Sequence, residues 1–171
     1  LAWIRRFLPG GPNDNWGTHY FRWLYCTKVG KNIGGIDILD LPGNVWSWEK
    51  NNAWVRAAII RGDDVKAITT LDEANLVYAR NAAGDITSLT ISGQELAVMV
   101  RLGKAPNLNN GYLQPITGNT TGNALFDEIY NFANSNGFID NYDQNFLNQL
   151  VNGNLVPNRA PLNGQTLFFG Y

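Results

Sequence analysis

The chain has 171 residues, of which 44% are hydrophobic and 16% charged, which is enough apolar material for one domain with a buried core. Its 13 basic and 14 acidic residues leave a formal net charge of -1, so the bulk charge gives no general support for binding nucleic acid or an anionic membrane surface. One cysteine and one histidine exclude an internal disulfide and a conventional structural zinc site, and no apolar run approaches the length of a membrane span.

The first 12 residues are predicted to lie outside the folded domain. They end in Pro9-Gly10-Gly11-Pro12, a cluster that can continue neither a helix nor a central strand. We therefore expect a linker or processed terminus at 1–12 and a single domain at 13–171. The start at Leu1 without a methionine favours a fragment or a processed product.

Two elements are predicted next. Apolar residues between Trp16 and Thr27 recur at spacings of three and four, which predicts a helix at about 17–29. The β-rich stretch from Ile33 to Leu41 is followed by Pro42-Gly43, which predicts a strand.

A second helix is predicted from Ser47 to Arg61. Ser47 is suited to cap it, Glu49 lies at its positive end, and Gly62 ends it. Its expected apolar stripe consists of Trp54, Val55, Ala58 and Ile59. A strand is expected at 65–69.

The segments Leu76–Arg80 and Ile86–Thr90 flank a turn-rich pentad and predict a hairpin, although a helix through 72–80 competes with it. Ser92 is expected to cap a third helix at Gln94–Arg101 that ends at Gly103.

Residues 104–122 read as a loop with room for one short strand. Leu125 to Ala133 predict a fourth helix, and Phe138 to Leu150 a fifth helix or its continuation, broken at Gly137. Leu167-Phe168-Phe169 is expected to dock as a terminal strand. Five helices among short strands predict an α+β fold: one compact domain with about five helices packed on a small mixed or antiparallel sheet.

The first candidate active site is centred on His19, whose unperturbed pKa lies near neutrality. Tyr20 and Arg22 could bind an anion or a carbonyl group beside it, and Asp37 or Asp40 could reach it from the adjoining strand. Cys26 lies seven residues further on, about 10 Å along a helix, which is too far for a nucleophile and its base. A structural histidine and an inert core cysteine are the alternative.

The second candidate site contains Asp63, Asp64 and Glu95. Adjacent carboxylates can shift each other's pKa, but neighbouring side chains on an extended chain point to opposite faces. The alternative reading is a solvated turn at 63–64 and, for Glu95, a favourable interaction with a helix dipole.

Six tryptophans invite a sugar-binding interpretation, because flat rings stack on pyranose faces. Trp16, Trp23, Trp48 and Trp54 fall at core spacing on predicted helices, which favours packing in the core instead.

One stretch, about residues 36–103, resembles C-terminal toxin domains of secreted bacterial polymorphic toxins of the rearrangement-hotspot (Rhs) and contact-dependent-inhibition types. The resemblance is carried by three segments of the chain: Trp48-Glu49-Lys50-Asn51-Asn52-Ala53-Trp54, Arg61-Gly62-Asp63-Asp64-Val65, and Gly93-Gln94-Glu95-Leu96 with the later Gly103. Gln94 and Lys104 depart from that pattern, which describes a scaffold more than a set of catalytic residues.

The resemblance implies a secreted effector that is delivered to the cytoplasm of a target cell and neutralised by a cognate immunity protein. The charge balance favours an enzyme acting on a protein or on NAD, such as an ADP-ribosyltransferase or NAD glycohydrolase, over a nuclease. No catalytic motif of ADP-ribosyltransferases, zinc deaminases or His-Asn nucleases is intact in the sequence. A carbohydrate- or protein-binding module that uses the Asn-rich loop at 107–123 is the alternative from another class, and a cap of a larger secreted assembly is a third.

Overall fold

A computed structural model describes residues 23–26, 35–38, 47–67, 70–152 and 158–161. Within them the fold is mixed α+β, as the sequence predicts, with five helices, a four-stranded antiparallel sheet and two two-stranded antiparallel sheets. The helices are α1 (Trp48–Arg61), α2 (Glu73–Leu76), α3 (Ile91–Arg101), α4 (Ala124–Ser135) and α5 (Gln144–Val151). The strands are β1 (Trp23–Cys26), β2 (Gly35–Ile38), β3 (Asp64–Ala67), β4 (Val77–Arg80), β5 (Ile86–Leu89), β6 (Lys104–Pro106), β7 (Leu113–Pro115) and β8 (Asn158–Pro161).

The larger sheet has the order β3-β1-β2-β8. Its strand β1 shows that the predicted helix at 17–29 is wrong over residues 23–26. The backbone of β1 pairs with β3 along its whole length, from Trp23 opposite Ala67 to Cys26 opposite Asp64. Neighbouring strands on both sides bond this backbone, and aromatic residues suit a pleated strand, so the helical spacing is overridden by the tertiary context.

The strand predicted at 33–41 is confirmed by β2, and that predicted at 65–69 by β3. Strand β8 pairs with β2 at the edge of the sheet and has no counterpart among the predicted elements. The terminal strand expected at 167–169 lies outside the described residues.

Helix α1 confirms the prediction for 47–61 and packs on α3 and α5. The Ser47 hydroxyl accepts a hydrogen bond from the Lys50 backbone N–H, and Gly62 ends the helix in the left-handed conformation with φ of 70°. Every residue from 51 to 58 is buried, polar ones included. The sequence predicts a single apolar stripe, whereas the helix is enclosed on most of its surface.

Both readings of residues 72–80 are partly right, because the short helix α2 runs directly into β4 of the predicted hairpin. The predicted cap of the next helix is wrong. Helix α3 begins at Ile91, and the Thr90 hydroxyl accepts from the Gly93 backbone N–H at 3.1 Å, while Ser92 is buried inside the first turn. Thr90 also donates to the Asn75 carbonyl, which ties the cap to α2.

The loop at 104–122 contains two short strands, β6 and β7, where one was expected. The fourth helix is confirmed by α4, whereas the fifth begins only at Gln144, with Asp143 as its cap. Residues 138–143 are irregular, because side chains of α1 take up the carbonyls that a helix would use.

The core lies where α1 packs on α5 and α3, and α3 on α4. The largest side chains buried there belong to Phe126, Leu76, Leu96, Met99, Ile129 and Ile139. At the start of α3, a Cβ added to Gly93 would lie 2.1 Å from the Leu76 carbonyl oxygen, so this contact requires glycine.

Candidate functional site

Most of the first predicted site cannot be placed. His19, Tyr20, Arg22 and Asp40 lie outside the described residues. Asp37 lies on β2, where its backbone is in register with Tyr25 of β1 and Arg159 of β8. Asp37 therefore lies on a strand, as predicted, and this strand has a paired strand on each side.

The second predicted site does not converge. The Asp63 carboxylate, only 2% exposed, accepts two hydrogen bonds from the Arg61 guanidinium at 2.6 and 3.1 Å. Asp64 lies on β3, and its backbone is opposite Cys26. The Glu95 carboxylate is buried near the other end of α1, where it accepts from Asn51 Nδ2 at 2.9 Å. Since Asn51 and Arg61 are ten residues apart on α1, about 15 Å along its axis, Glu95 and Asp63 lie too far apart to act together.

The tryptophans described with their side chains, Trp48 and Trp54, pack in or against the core, as the core-packing interpretation predicts. Trp48 Nε1 donates to the Phe138 carbonyl oxygen at 3.0 Å. Neither ring forms an exposed platform on which a sugar could stack. The side chain of Trp23 is not described, and that residue lies on a strand.

A polar face of α1 fixes the irregular segment 138–143. Asn52 Nδ2 donates to the carbonyls of Ile139 at 2.8 Å, Asn141 at 3.0 Å and Phe138 at 3.3 Å. Its Oδ1 accepts from Arg56 Nε at 2.9 Å, and Arg56 Nη2 donates to the Ile139 carbonyl at 2.6 Å. Two buried side chains four residues apart thus hold one segment of backbone.

This network brings two arginines to one carboxylate at the surface. Asp140 Oδ1 is 3.6 Å from Arg56 Nη2, and Asp140 Oδ2 is 3.4 Å from Arg101 Nη2. The Arg56 guanidinium lies 4.2 Å from the centre of the Tyr142 ring, and Arg101 Nη1 donates to the Tyr130 hydroxyl at 3.4 Å. We name the group of Arg56, Arg101, Tyr130, Asp140 and Tyr142 the arginine–tyrosine surface.

The surroundings shift the pKa values of the two arginines in opposite directions. Burial lowers the pKa of Arg56, Tyr142 and Asp140 raise it, and the like charge of Arg101 lowers it further. The hydrogen bond to Tyr130 raises the pKa of Arg101, with a further contribution from Asp140. Arginine stays protonated near neutral pH, so this surface can bind and orient an anion but cannot serve as a general base.

Neither candidate site predicted from the sequence includes a residue of this surface. Arg56 and Arg101 stand on helices 45 positions apart, and Asp140 follows in a segment that was expected to be helical. The spacing of four between Asn52 and Arg56, among the otherwise apolar residues 53–58, is the one feature that could have indicated a buried polar contact.

In the part of the chain that is described, no group of three His, Cys, Asp or Glu side chains is placed to hold a metal ion. Among those same residues, no helix has the length and apolar character needed to cross a membrane.

The comparisons with known proteins give no family to which the chain can be assigned. No protein-family model matches the sequence, and neither a curated protein nor a solved structure matches it significantly.

Proposed function

We propose that the chain is the effector domain of a secreted bacterial polymorphic toxin of the Rhs or contact-dependent-inhibition type. It acts as an enzyme in the cytoplasm of a recipient cell, on a protein or on NAD, and a cognate immunity protein neutralises it. The proposal starts from the residues at 36–103 that resemble such domains.

The observation that carries the proposal is that separated parts of this pattern meet in the fold. Asn51, from its first segment, donates to Glu95, from its last segment, 44 residues further on. The middle segment closes on itself through the Arg61–Asp63 ion pair beside the left-handed Gly62. Gly93 allows the close approach of α3 to Leu76. The first and last segments of the pattern therefore meet where α1 packs on α3, and this contact supports the proposal.

These contacts support the effector proposal, and the reaction is inferred from two other features, the charge and the arginine–tyrosine surface. The nearly balanced charge favours a protein or a small nucleotide as the target over a nucleic acid polyanion. The arginine–tyrosine surface supplies cationic groups for an anionic substrate, and the proton-transfer residue proposed from the sequence is His19.

The test is expression of the chain in a bacterial cytoplasm, with and without the gene directly downstream of its own. We expect growth arrest without that gene and normal growth with it. Incubation of the chain with radiolabelled NAD and a cell lysate then identifies the reaction, through label transferred to protein or nicotinamide released. Equal growth in both cultures would contradict the proposal.

The alternative, a carbohydrate- or protein-binding module, gives a different outcome in the same experiments. It predicts normal growth in both cultures and a tryptophan fluorescence change when a panel of ligands is titrated. Growth arrest together with an unchanged fluorescence signal would eliminate it.

A further inference from the structure

The carboxylate of Asp140 occupies a position between two guanidinium groups that an exogenous anion could take. Its two oxygens contact different arginines, at 3.6 and 3.4 Å, which are longer than the roughly 2.8 Å of a strong charge-assisted hydrogen bond. The Asp140 side chain is 62% exposed, so water competes for both contacts. The carboxylate is thus a weakly held counter-ion.

The Arg56 guanidinium and the backbone next to Asp140 are held more firmly than the Asp140 carboxylate. The Arg56 side chain is 10% exposed and is fixed by Asn52, by the Ile139 carbonyl and by the Tyr142 ring. Its position does not depend on Asp140. The backbone next to Asp140 is also anchored, because two side chains of α1 bond the Ile139 carbonyl. Rotation of the Asp140 side chain would therefore free the position and leave the segment in place.

Arg101 provides the adjustable half of the site. Its side chain is 42% exposed and contacts the Tyr130 hydroxyl and Asp140, both at 3.4 Å. One fixed guanidinium, one adjustable guanidinium and a phenolic hydroxyl offer more donors than a single carboxylate can accept. A phosphate group has more acceptor oxygens and more charge, and guanidinium groups bind it in the bidentate manner.

We propose that the arginine–tyrosine surface binds the phosphate groups of a small nucleotide, which displaces the Asp140 carboxylate from between Arg56 and Arg101. The identification of this ligand as a substrate rests on the proposed function as an enzyme of the recipient cytoplasm. A mononucleotide or dinucleotide is favoured over a nucleic acid because the chain's net charge of -1 provides no wider field for a long polyanion. Two other carboxylates near this segment are already bonded: Glu49 of α1 accepts from Asn141 Nδ2 at 2.9 Å, and Asp143 accepts from the Phe146 backbone N–H at 2.9 Å.

The test is titration of the full 171-residue chain, made by cell-free synthesis, with inorganic pyrophosphate and with NAD, followed by calorimetry. Arg101→Gln is expected to weaken binding of both by about tenfold, because it removes one of the two guanidinium groups. Asp140→Asn is expected to strengthen binding by about fivefold, because it removes the competing charge. Both positions are exposed, so both variants should fold as the wild type does.

The matched control is Arg80→Gln, which changes another surface arginine that lies between two carboxylates, those of Glu73 and Glu128. It should leave pyrophosphate binding unchanged. Absence of pyrophosphate binding, or an Asp140→Asn variant that binds it no more tightly than the wild type, overturns the proposal. A single-stranded RNA oligonucleotide that binds far more tightly than pyrophosphate, with the same dependence on Arg101, overturns the choice of a small nucleotide.

The outcome is separable from that of the proposed function. Growth arrest by a chain that fails to bind pyrophosphate rejects this site and leaves the effector proposal standing. Pyrophosphate and NAD binding by a chain that does not arrest growth supports the site and rejects the effector.

Discussion

One buried polar side chain on α1, that of Asn52, holds the backbone of the segment 138–143 in place. Asn52 is completely buried, and its amide donates to three carbonyls of residues 138–141 while its oxygen accepts from Arg56. Loss of Asn52 would remove the hydrogen bonds to the Asn141 carbonyl and from Arg56 Nε, while Trp48 and Arg56 still donate to the Phe138 and Ile139 carbonyls. Its effect on stability should exceed that of an ordinary surface asparagine.

Replacement of Asn52 by alanine is therefore expected to lower the free energy of unfolding by about 3 kcal/mol, the combined cost of removing the partners of the Asn141 carbonyl and of the buried Arg56 Nε. Urea denaturation measures this change. Asn131→Ala is the control, because Asn131 lies exposed on α4 and alanine favours helix. A loss for Asn52→Ala no larger than that of the control would show that the segment 138–143 is held by other contacts.

The close approach at Gly93 gives a second prediction at this scale. A methyl group at this position would lie 2.1 Å from a backbone oxygen that cannot move away as a flexible side chain can. Gly93→Ala should lower the free energy of unfolding by about 3 kcal/mol in spite of alanine's better helix propensity. Thermal unfolding of Gly93→Ala and of the control Gln94→Ala measures the difference in stability. A Gly93→Ala variant as stable as Gln94→Ala would contradict the observed packing of α3 on Leu76.

At the scale of elements, a surface ion network joins the β4–β5 hairpin to two helices. Arg80 on β4 bonds Glu73 of α2 at 2.7 Å and Glu128 of α4 at 2.6 Å. Because the guanidinium contacts both carboxylates, it links elements that are far apart along the chain. The hydrogen bond from Arg80 lowers the pKa of Glu128 below its ordinary value of 4.5.

The network predicts a defined pH dependence. A carboxyl group whose pKa is lowered by folding stabilises the native state above its ordinary value of 4.5, and this stabilisation is lost as the pH falls through the lowered folded pKa. The wild type should lose more stability between about pH 5 and pH 3 than Arg80→Gln does. Chemical denaturation across this range measures the difference. Glu49, whose pKa is also lowered, contributes equally to both proteins. Parallel curves for the two proteins would contradict this account.

The elements that the sequence predicts well are those with local determinants. Helix α1 has a capping serine before it and a glycine after it, and the hairpin has its turn residues, so local chemistry determines both. Strand β1 and the segment 138–143 depend on distant partners, the neighbouring strands and the side chains of α1 respectively. A spacing rule read along the chain does not include those partners.

For the molecule as a whole, the fold class could be predicted, whereas the arginine–tyrosine surface could not. Counting helical and strand patterns is enough to indicate an α+β domain. The surface arises because α1, α3, α4 and the segment after α4 converge, and no pair of its residues other than Asp140 and Tyr142 is close in sequence. Of the residues predicted as catalytic, those around His19 remain predictions.

The central claim, that the chain is a toxic effector, is tested most directly by the growth rate of bacteria after induction of three versions of it. The wild type and Arg80→Gln are expected to arrest growth and Arg101→Gln to permit it, and the downstream gene is expected to restore growth in the first two. Unfolding curves of the same proteins establish that the difference does not come from stability. Unimpaired growth on induction of the wild type would contradict the account.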